Sequence, residues 1–122
     1  NFQYEAIKCN NLQDIEILIK NYDVICIDEI QFYLDAAKYC DKWANEGKII
    51  EVCGLNGDYK REPFEQISLL IPKLENITFL TAIDEKNGID ACFTKRIIDS
   101  DERELIGGKE SYIACSRETY KL

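Results

Sequence analysis

Two adjacent carboxylates, Asp28 and Glu29, follow directly on four apolar residues in the stretch DVICIDEIQF. An apolar, β-branched run that ends in Asp is the pattern by which a buried strand brings a carboxylate to the Mg2+ of a nucleoside triphosphate, often through water. A Glu in the next position can take a proton from an attacking hydroxyl or water. Successive strand residues point to opposite sides, so the two acids need not share one task. The same pair also fits a plainer role, two acids leading into the next helix and favoured there by its macrodipole. The short motif alone leans toward that plainer role.

A strand-end carboxylate of the first kind needs a phosphate-cradling GxxxxGK(S/T) loop at the end of an earlier strand. The 122 residues hold no such loop; GLNGDYK has the glycines and the lysine but not the ending. If the acids are catalytic, the loop is expected N-terminal to Asn1. A chain that starts without methionine and contains none reads as an excised piece of a longer protein. Histidine is absent too, which excludes Ser–His and Cys–His catalysis and any His-ligated zinc. Six cysteines are scattered without a C-x-x-C pair, most of them in apolar runs where reduced thiols are buried, as in a cytosolic protein. The net charge of −8 argues against a nonspecific grip on nucleic acid or anionic membrane but leaves a nucleotide pocket open. No stretch approaches the ~18 apolar residues of a membrane span, and the N-terminus has no signal-peptide pattern.

The elements that must position these acids follow from periodicity. Leu12, Ile15, Ile17, Leu18 and Ile19 predict a helix over residues 12–20, broken by Asn21 and Asp23. Residues 23–28 predict a strand with both faces buried, since its apolar residues do not alternate with polar ones. Leu34, Ala37, Cys40 (or Asp41) and Ala44, with Trp43 on the same side, predict a helix closed by Gly47. Residues 49–53 form a second buried strand, and the loop GLNGDYKREPF follows. Residues 64–74 are helical until Pro72 ends or kinks them, and 77–83 form a third strand. This alternation is the signature of an α/β layered sheet over residues 1–83. In residues 84–122, glycines separate the short apolar pieces 91–94, 105–106 and 112–115, which predicts a small β-rich lobe of hairpins.

Taken in order, IDEIQF, CGLNGDYKREPF, LTAI, CFTKR and LIGGKESY resemble one family, the thymidine kinases of the cellular and poxviral kind, with the match running over residues 23–120. The resemblance implies a parallel-sheet P-loop (RecA-like) core. It also implies transfer of the γ-phosphate of ATP to the 5′-hydroxyl of thymidine or deoxyuridine, with ATP and Mg2+ bound. Asp28, with Ile30 and Gln31, would serve magnesium and ATP, and Glu29 would be the general base. Phe32, Leu55, Tyr59 and Phe64 match positions that wall the nucleoside pocket; Tyr59 stands where the family usually has phenylalanine. Thr94, the strand Arg103, Glu104, Leu105, Ile106 and Gly107, and Tyr112 match the lobe that contacts thymine and sugar. Backbone groups would read the base edge there, so Arg103 and Leu105 in place of the usual valines are tolerated. Thymidine and ATP are the implied partners, without nucleic acid or membrane, in a cytoplasmic homo-oligomer of the tetrameric kind. Each residue also has a plain reading: Tyr59 and Phe64 as core around a loop, Tyr112 as hairpin packing, Gly107 and Gly108 as a turn.

The pattern departs from the family at a second place. Members usually carry two C-x-x-C pairs that bind zinc and tie down the small lobe; here the four positions are Asp84, Asn87, Ser116 and Thr119. Such a set does not make a structural zinc site, so no zinc is expected, and Cys92 and Cys115 are expected in apolar surroundings. Two readings stay open. Retention of Asp28, Glu29, Thr94 and Tyr112 fits a working thymidine kinase. The lost thiolates and the missing phosphate loop fit an inactive homologue acting as a subunit or interaction module. Another kind of P-loop ATPase is disfavoured by the TKR and IGG segments.

Overall fold

The structure, a computed structural model, describes residues 3–98 and 111–121. By its contacts the chain divides into two compact units, residues 1–56 with 64–74, and residues 57–63 with 75–122.

The first unit is built on two parallel strands, β1 (Val24–Ile27) and β2 (Ile49–Val52), paired Ile25 to Ile50 and Ile27 to Val52. Between them runs α1 (Ala36–Asn45), the crossover that a parallel pair requires. α1 buries Ala36, Ala37, Tyr39, Cys40 and Trp43, a stripe at helical spacing. Leu34 lies outside the helix and is 82% exposed, and Ala44 faces solvent, so the buried stripe is narrower than the sequence predicts. Glycine at 47, at φ +92°, lets the chain leave the helix in a left-handed turn, with its N–H bonded to the Ala44 carbonyl at 3.0 Å.

Two long-range caps tie this unit together. Both carboxylate oxygens of Asp35 accept backbone N–H groups, from Leu12 at 3.1 Å and Gln13 at 3.0 Å. The Ala37 N–H in the first turn of α1 donates to the Gln66 side chain at 3.0 Å. Gln66 belongs to α2 (Glu65–Leu70), which passes at Ile71–Lys73 into a 3-10 turn containing Pro72. Leu12, Ile19, Ile25, Ile27, Ile30, Trp43 and Leu70 meet in one apolar core.

Three expectations need correction here. Residues 12–20 are not one α-helix but two 3-10 turns, Leu12–Ile15 and Leu18–Asn21. Only Leu12 and Ile19 are buried in them, and Ile17 and Leu18 face outward. The stretch therefore lacks the continuous apolar stripe that stabilises a longer helix. β1 is not buried on both faces: Ile25 and Ile27 point into the core, whereas Val24 and Cys26 are exposed. Residues 77–83 do not add a third strand to the parallel pair. Only Ala82–Ile83 (β3) is extended and paired, antiparallel to Asp90–Ala91 (β4), and Ile77, Phe79 and Leu80 are exposed.

The second unit continues with β5 (Phe93–Arg96) and β6 (Tyr112–Cys115), an antiparallel pair in which Thr94 faces Ala114 and Arg96 faces Tyr112. A short helix, α3 (Arg117–Lys121), follows β6. The fold is thus mixed α/β with small sheets. Among the cysteines, Cys40 and Cys115 are buried, but Cys26, Cys53 and Cys92 are exposed. Those three correct the expectation of buried thiols: Cys26 sits on the outward face of the one-sided strand β1, and Cys53 and Cys92 lie just outside the strands.

Candidate active site

β1 ends at Ile27, and Asp28 and Glu29 stand exposed just beyond its C-terminal end, where ligands of open α/β sheets gather. The parallel ladder runs on past both strands: Cys53 N–H donates to the Ile27 carbonyl at 3.1 Å and Ile30 N–H to the Cys53 carbonyl at 3.0 Å. This pairing places the Cys53 thiol beside Asp28, with Sγ donating to Oδ1 at 3.0 Å; the same oxygen accepts the Glu29 N–H at 2.9 Å. The carboxylate holds the Cys53 thiol protonated, with its pKa above the ordinary range, chiefly through that hydrogen bond and secondarily through burial.

Glu29 adopts φ 52°, ψ 46°, the left-handed region that a residue with a Cβ enters at a cost of ~1–2 kcal/mol. Its carbonyl accepts the Phe32 N–H at 3.1 Å, closing the 3-10 turn Ile30–Phe32. The Glu29 side chain is held by Gln31, whose Nε2 donates to Oε2 at 2.6 Å. The acids therefore lead into the 3-10 turn Ile30–Phe32, where neither side chain makes a capping bond, and not into α1, which starts only at Ala36 with its first turn served by Gln66.

Asp28 fits a magnesium ion of the hydrated kind, which takes one or two protein carboxylates and keeps several waters and phosphate oxygens. Its carboxylate is exposed and anchored through one oxygen. Among the described residues no cluster of three or more His, Cys, Asp or Glu side chains is able to hold a metal on its own.

Three residues expected to wall a nucleoside pocket lie in the first unit. Phe32 and Phe64 meet edge to face, ring centres 6.0 Å apart and planes at 80°. Phe64 is buried while Phe32 is 46% exposed, so the pair presents one aromatic face outward. The Leu55 N–H donates to Gln31 Oε1 at 3.2 Å. Neither of two shallow surface hollows, one beside Cys9 and Tyr33 and one beside Phe93 and Lys121, contains the paired acids, which stand on an open strand end.

The second unit holds Tyr59, Thr94 and Tyr112. Tyr59 sits on a tight loop knotted around Asp58, whose Oδ1 accepts the N–H groups of Lys60 and Glu62, each at 2.9 Å. A bridge between Gly57 and Pro63 closes the loop, and the Tyr120 hydroxyl donates to the Tyr59 carbonyl at 2.7 Å. Arg96 organises the aromatics: its guanidinium lies 3.7 Å from the centre of the Tyr59 ring and donates to the Tyr112 hydroxyl at 2.8 Å. Thr94 is half-buried on the same strand, two residues from Arg96. Arg103, Glu104, Leu105, Ile106 and Gly107 lie outside the described residues.

Asp84, Asn87, Ser116 and Thr119, the positions that the resemblance matches to zinc-binding cysteines, converge as a hydrogen-bonded cluster. The Ser116 N–H donates to Asp84 Oδ2 at 2.7 Å, Lys86 N–H to Asp84 Oδ1 at 2.9 Å, and Asn87 Nδ2 to the Ser116 hydroxyl at 3.0 Å. Ser116 and Thr119 hydroxyls are 3.5 Å apart. Asp84 is 1% exposed, yet it stays ionised well below the usual carboxylate range, first through the Ser116 N–H and next through the Thr119 hydroxyl, against the pull of burial.

Sequence reasoning did not single out Arg96, Asp58 or Gly54. Arg96 lies inside the CFTKR segment, and Asp58 and Gly54 inside GLNGDYKREPF, so the signal was present in the motifs without assigning these residues a task.

Comparison with known proteins gives the same direction. A family model described as thymidine kinase matches residues 1–120. Thymidine kinase 1 of Dictyostelium discoideum is 42% identical over 117 residues, 96% of this chain and 52% of that protein. The thymidine kinase of vaccinia virus is 40% identical over 117 residues, 96% of this chain and 66% of its own. That of Yaba monkey tumor virus is 44% identical over 120 residues, again covering 66% of its length. The chain thus spans between about half and two thirds of the length of these relatives. With the paired acids at the end of a parallel strand and the family match running nearly end to end, the chain belongs to the thymidine kinase family.

Proposed function

We propose that this chain is the greater part of a P-loop (RecA-like) thymidine kinase that transfers the γ-phosphate of ATP to the 5′-hydroxyl of thymidine or deoxyuridine. The observation that carries the reading is the pair Asp28 and Glu29 at the C-terminal end of β1, with Glu29 held by Gln31 and the aromatic pair Phe32–Phe64 in the same unit. Glu29 takes the proton of the 5′-hydroxyl as its oxygen bonds to the γ-phosphorus. The bond to the β,γ-bridging oxygen breaks, and ADP leaves. Asp28 offers its free carboxylate edge to magnesium, which, when bound, neutralises phosphate charge. Aromatic rings stack on or wall the pyrimidine, and exclusion of water favours transfer to the sugar over hydrolysis. Phosphates would be cradled by a loop that the 122 residues do not include. The Asp84–Ser116 cluster takes over the ordering that zinc provides elsewhere in the family, so loss of the four thiolates does not require loss of activity.

The test is turnover. The full-length protein, given ATP, Mg2+ and thymidine, is expected to form thymidine monophosphate and ADP in equal amounts, and none with 5′-deoxythymidine, which lacks the acceptor hydroxyl. Thymidine binding without any product would instead establish the inactive-subunit reading.

A further inference from the structure

Both ends of the Gln31 side-chain amide are engaged, and in only one orientation. The Leu55 N–H needs an acceptor and the Glu29 carboxylate needs a donor, so Oε1 faces Leu55 at 3.2 Å and Nε2 faces Glu29 at 2.6 Å. The side chain is 5% exposed, although Glu29, two residues earlier, is open to solvent. Gly54 is the reason it fits. A Cβ built there would overlap Gln31 Oε1 and lie 2.9 Å from Ile30 Cγ2. The Gly54 position carries no positive φ, so the demand is for space rather than for a left-handed backbone. Glu29, by contrast, is strained, and a strained residue persists only where its surroundings over-determine it. Here the Asp28 carboxylate fixes its N–H, the Phe32 N–H its carbonyl and Gln31 its side chain.

We propose that Gln31 is a positioning residue: its buried amide holds the Glu29 carboxylate in the proton-accepting position and ties it to the Leu55 backbone, with Gly54 providing the space. This rests on the kinase reading above. Without the amide the Glu29 side chain would sample its rotamers in water, and a base displaced by about 1 Å costs on the order of 10²-fold in rate. The tie to Leu55 links the base to the loop that continues into the nucleoside wall, so the two are set by one side chain.

The experiment compares variants of the full-length enzyme. Gln31→Glu keeps an acceptor for the Leu55 N–H but presents Glu29 with a second carboxylate in place of a donor. Its kcat is expected to fall by about 10- to 100-fold, with the thymidine dissociation constant within about twofold of wild type. Gly54→Ala leaves Gln31 chemically intact but pushes it aside, and is expected to lower kcat in the same range. The double variant should be no slower than the slower single one, as for residues acting as a unit. If Gln31→Glu does not fold, Gln31→Met, which preserves volume, carries the test with the same loss of kcat. An unchanged kcat in an active enzyme overturns the inference, as does a loss of nucleoside affinity equal to the loss of rate. A wild-type enzyme that makes no product overturns the kinase reading and this inference with it.

Discussion

Arg96 joins two aromatic residues of the second unit. Stacked on Tyr59 and bonded to the Tyr112 hydroxyl, it holds two candidate nucleoside contacts through one planar cation. A stacked guanidinium contributes on the order of 1–2 kcal/mol, and an ammonium cannot reproduce both contacts. Arg96→Lys is therefore expected to raise the thymidine KM by about 5- to 20-fold while leaving kcat much less affected, as steady-state kinetics of the full-length enzyme would show. An unchanged KM would remove Arg96 from substrate positioning. The motif CFTKR was visible in the sequence, but a motif does not say which ring its arginine faces. That depends on the register of β5 against β6, which sets Arg96 opposite Tyr112, and on the loop around Asp58 that delivers Tyr59. Asp28 and Glu29 were legible because an apolar run ending in acids needs no tertiary information to be noticed.

At the scale of elements, the β3–β4 turn and the start of α3 are clasped by Asp84, Asn87, Ser116 and Thr119. Ionised Asp84 anchors the clasp, and its pKa is lowered by the fold, so the unfolded chain binds the proton more readily than the folded one. Its contribution to stability is full above the unfolded value of about 3.9 and is lost as pH falls below that range toward the folded value. The urea midpoint of the full-length protein should thus fall at acid pH, and Asp84→Asn should lower stability at pH 7 and flatten that acid-side dependence. A chelator should leave the neutral-pH midpoint where it is, whereas stoichiometric zinc in the purified protein would contradict the clasp. That Asp84, Asn87, Ser116 and Thr119 stand where the resemblance expects cysteines was readable from sequence. That these side chains form a bonded network was not, because oxygen and amide side chains have no fixed spacing rule comparable to C-x-x-C. Similar reasoning explains the elements misjudged from sequence. Strand 23–28 carries apolar residues on both faces, but only Ile25 and Ile27 have a core to meet among the described residues. The apolar stretch 77–81 has no strand partner there either.

For the whole molecule, one buried indole shows how the first unit depends on its crossover helix. Trp43 is fully buried, stacks obliquely on Tyr39 at 5.6 Å and donates to Glu16 at 3.3 Å. Trp43→Ala is expected to cost about 3–5 kcal/mol of stability, by the usual penalty for emptying a large core site, measured as a shift of the urea midpoint. The α/β alternation that predicted this unit was readable because helix and strand periods differ. The division of the chain was not, since the loop 57–63 joins the second unit although residues on both sides of it belong to the first. No helix among the described residues is long and apolar enough to cross a membrane. The reaction proposed for the chain turns on Glu29. In the full-length enzyme, the most direct measurement is thymidine phosphorylation by Glu29→Gln alongside thymidine binding to the same variant. With Glu29 as the base, the rate is expected to fall by ~10²–10⁴-fold with binding retained; undiminished turnover would contradict that role.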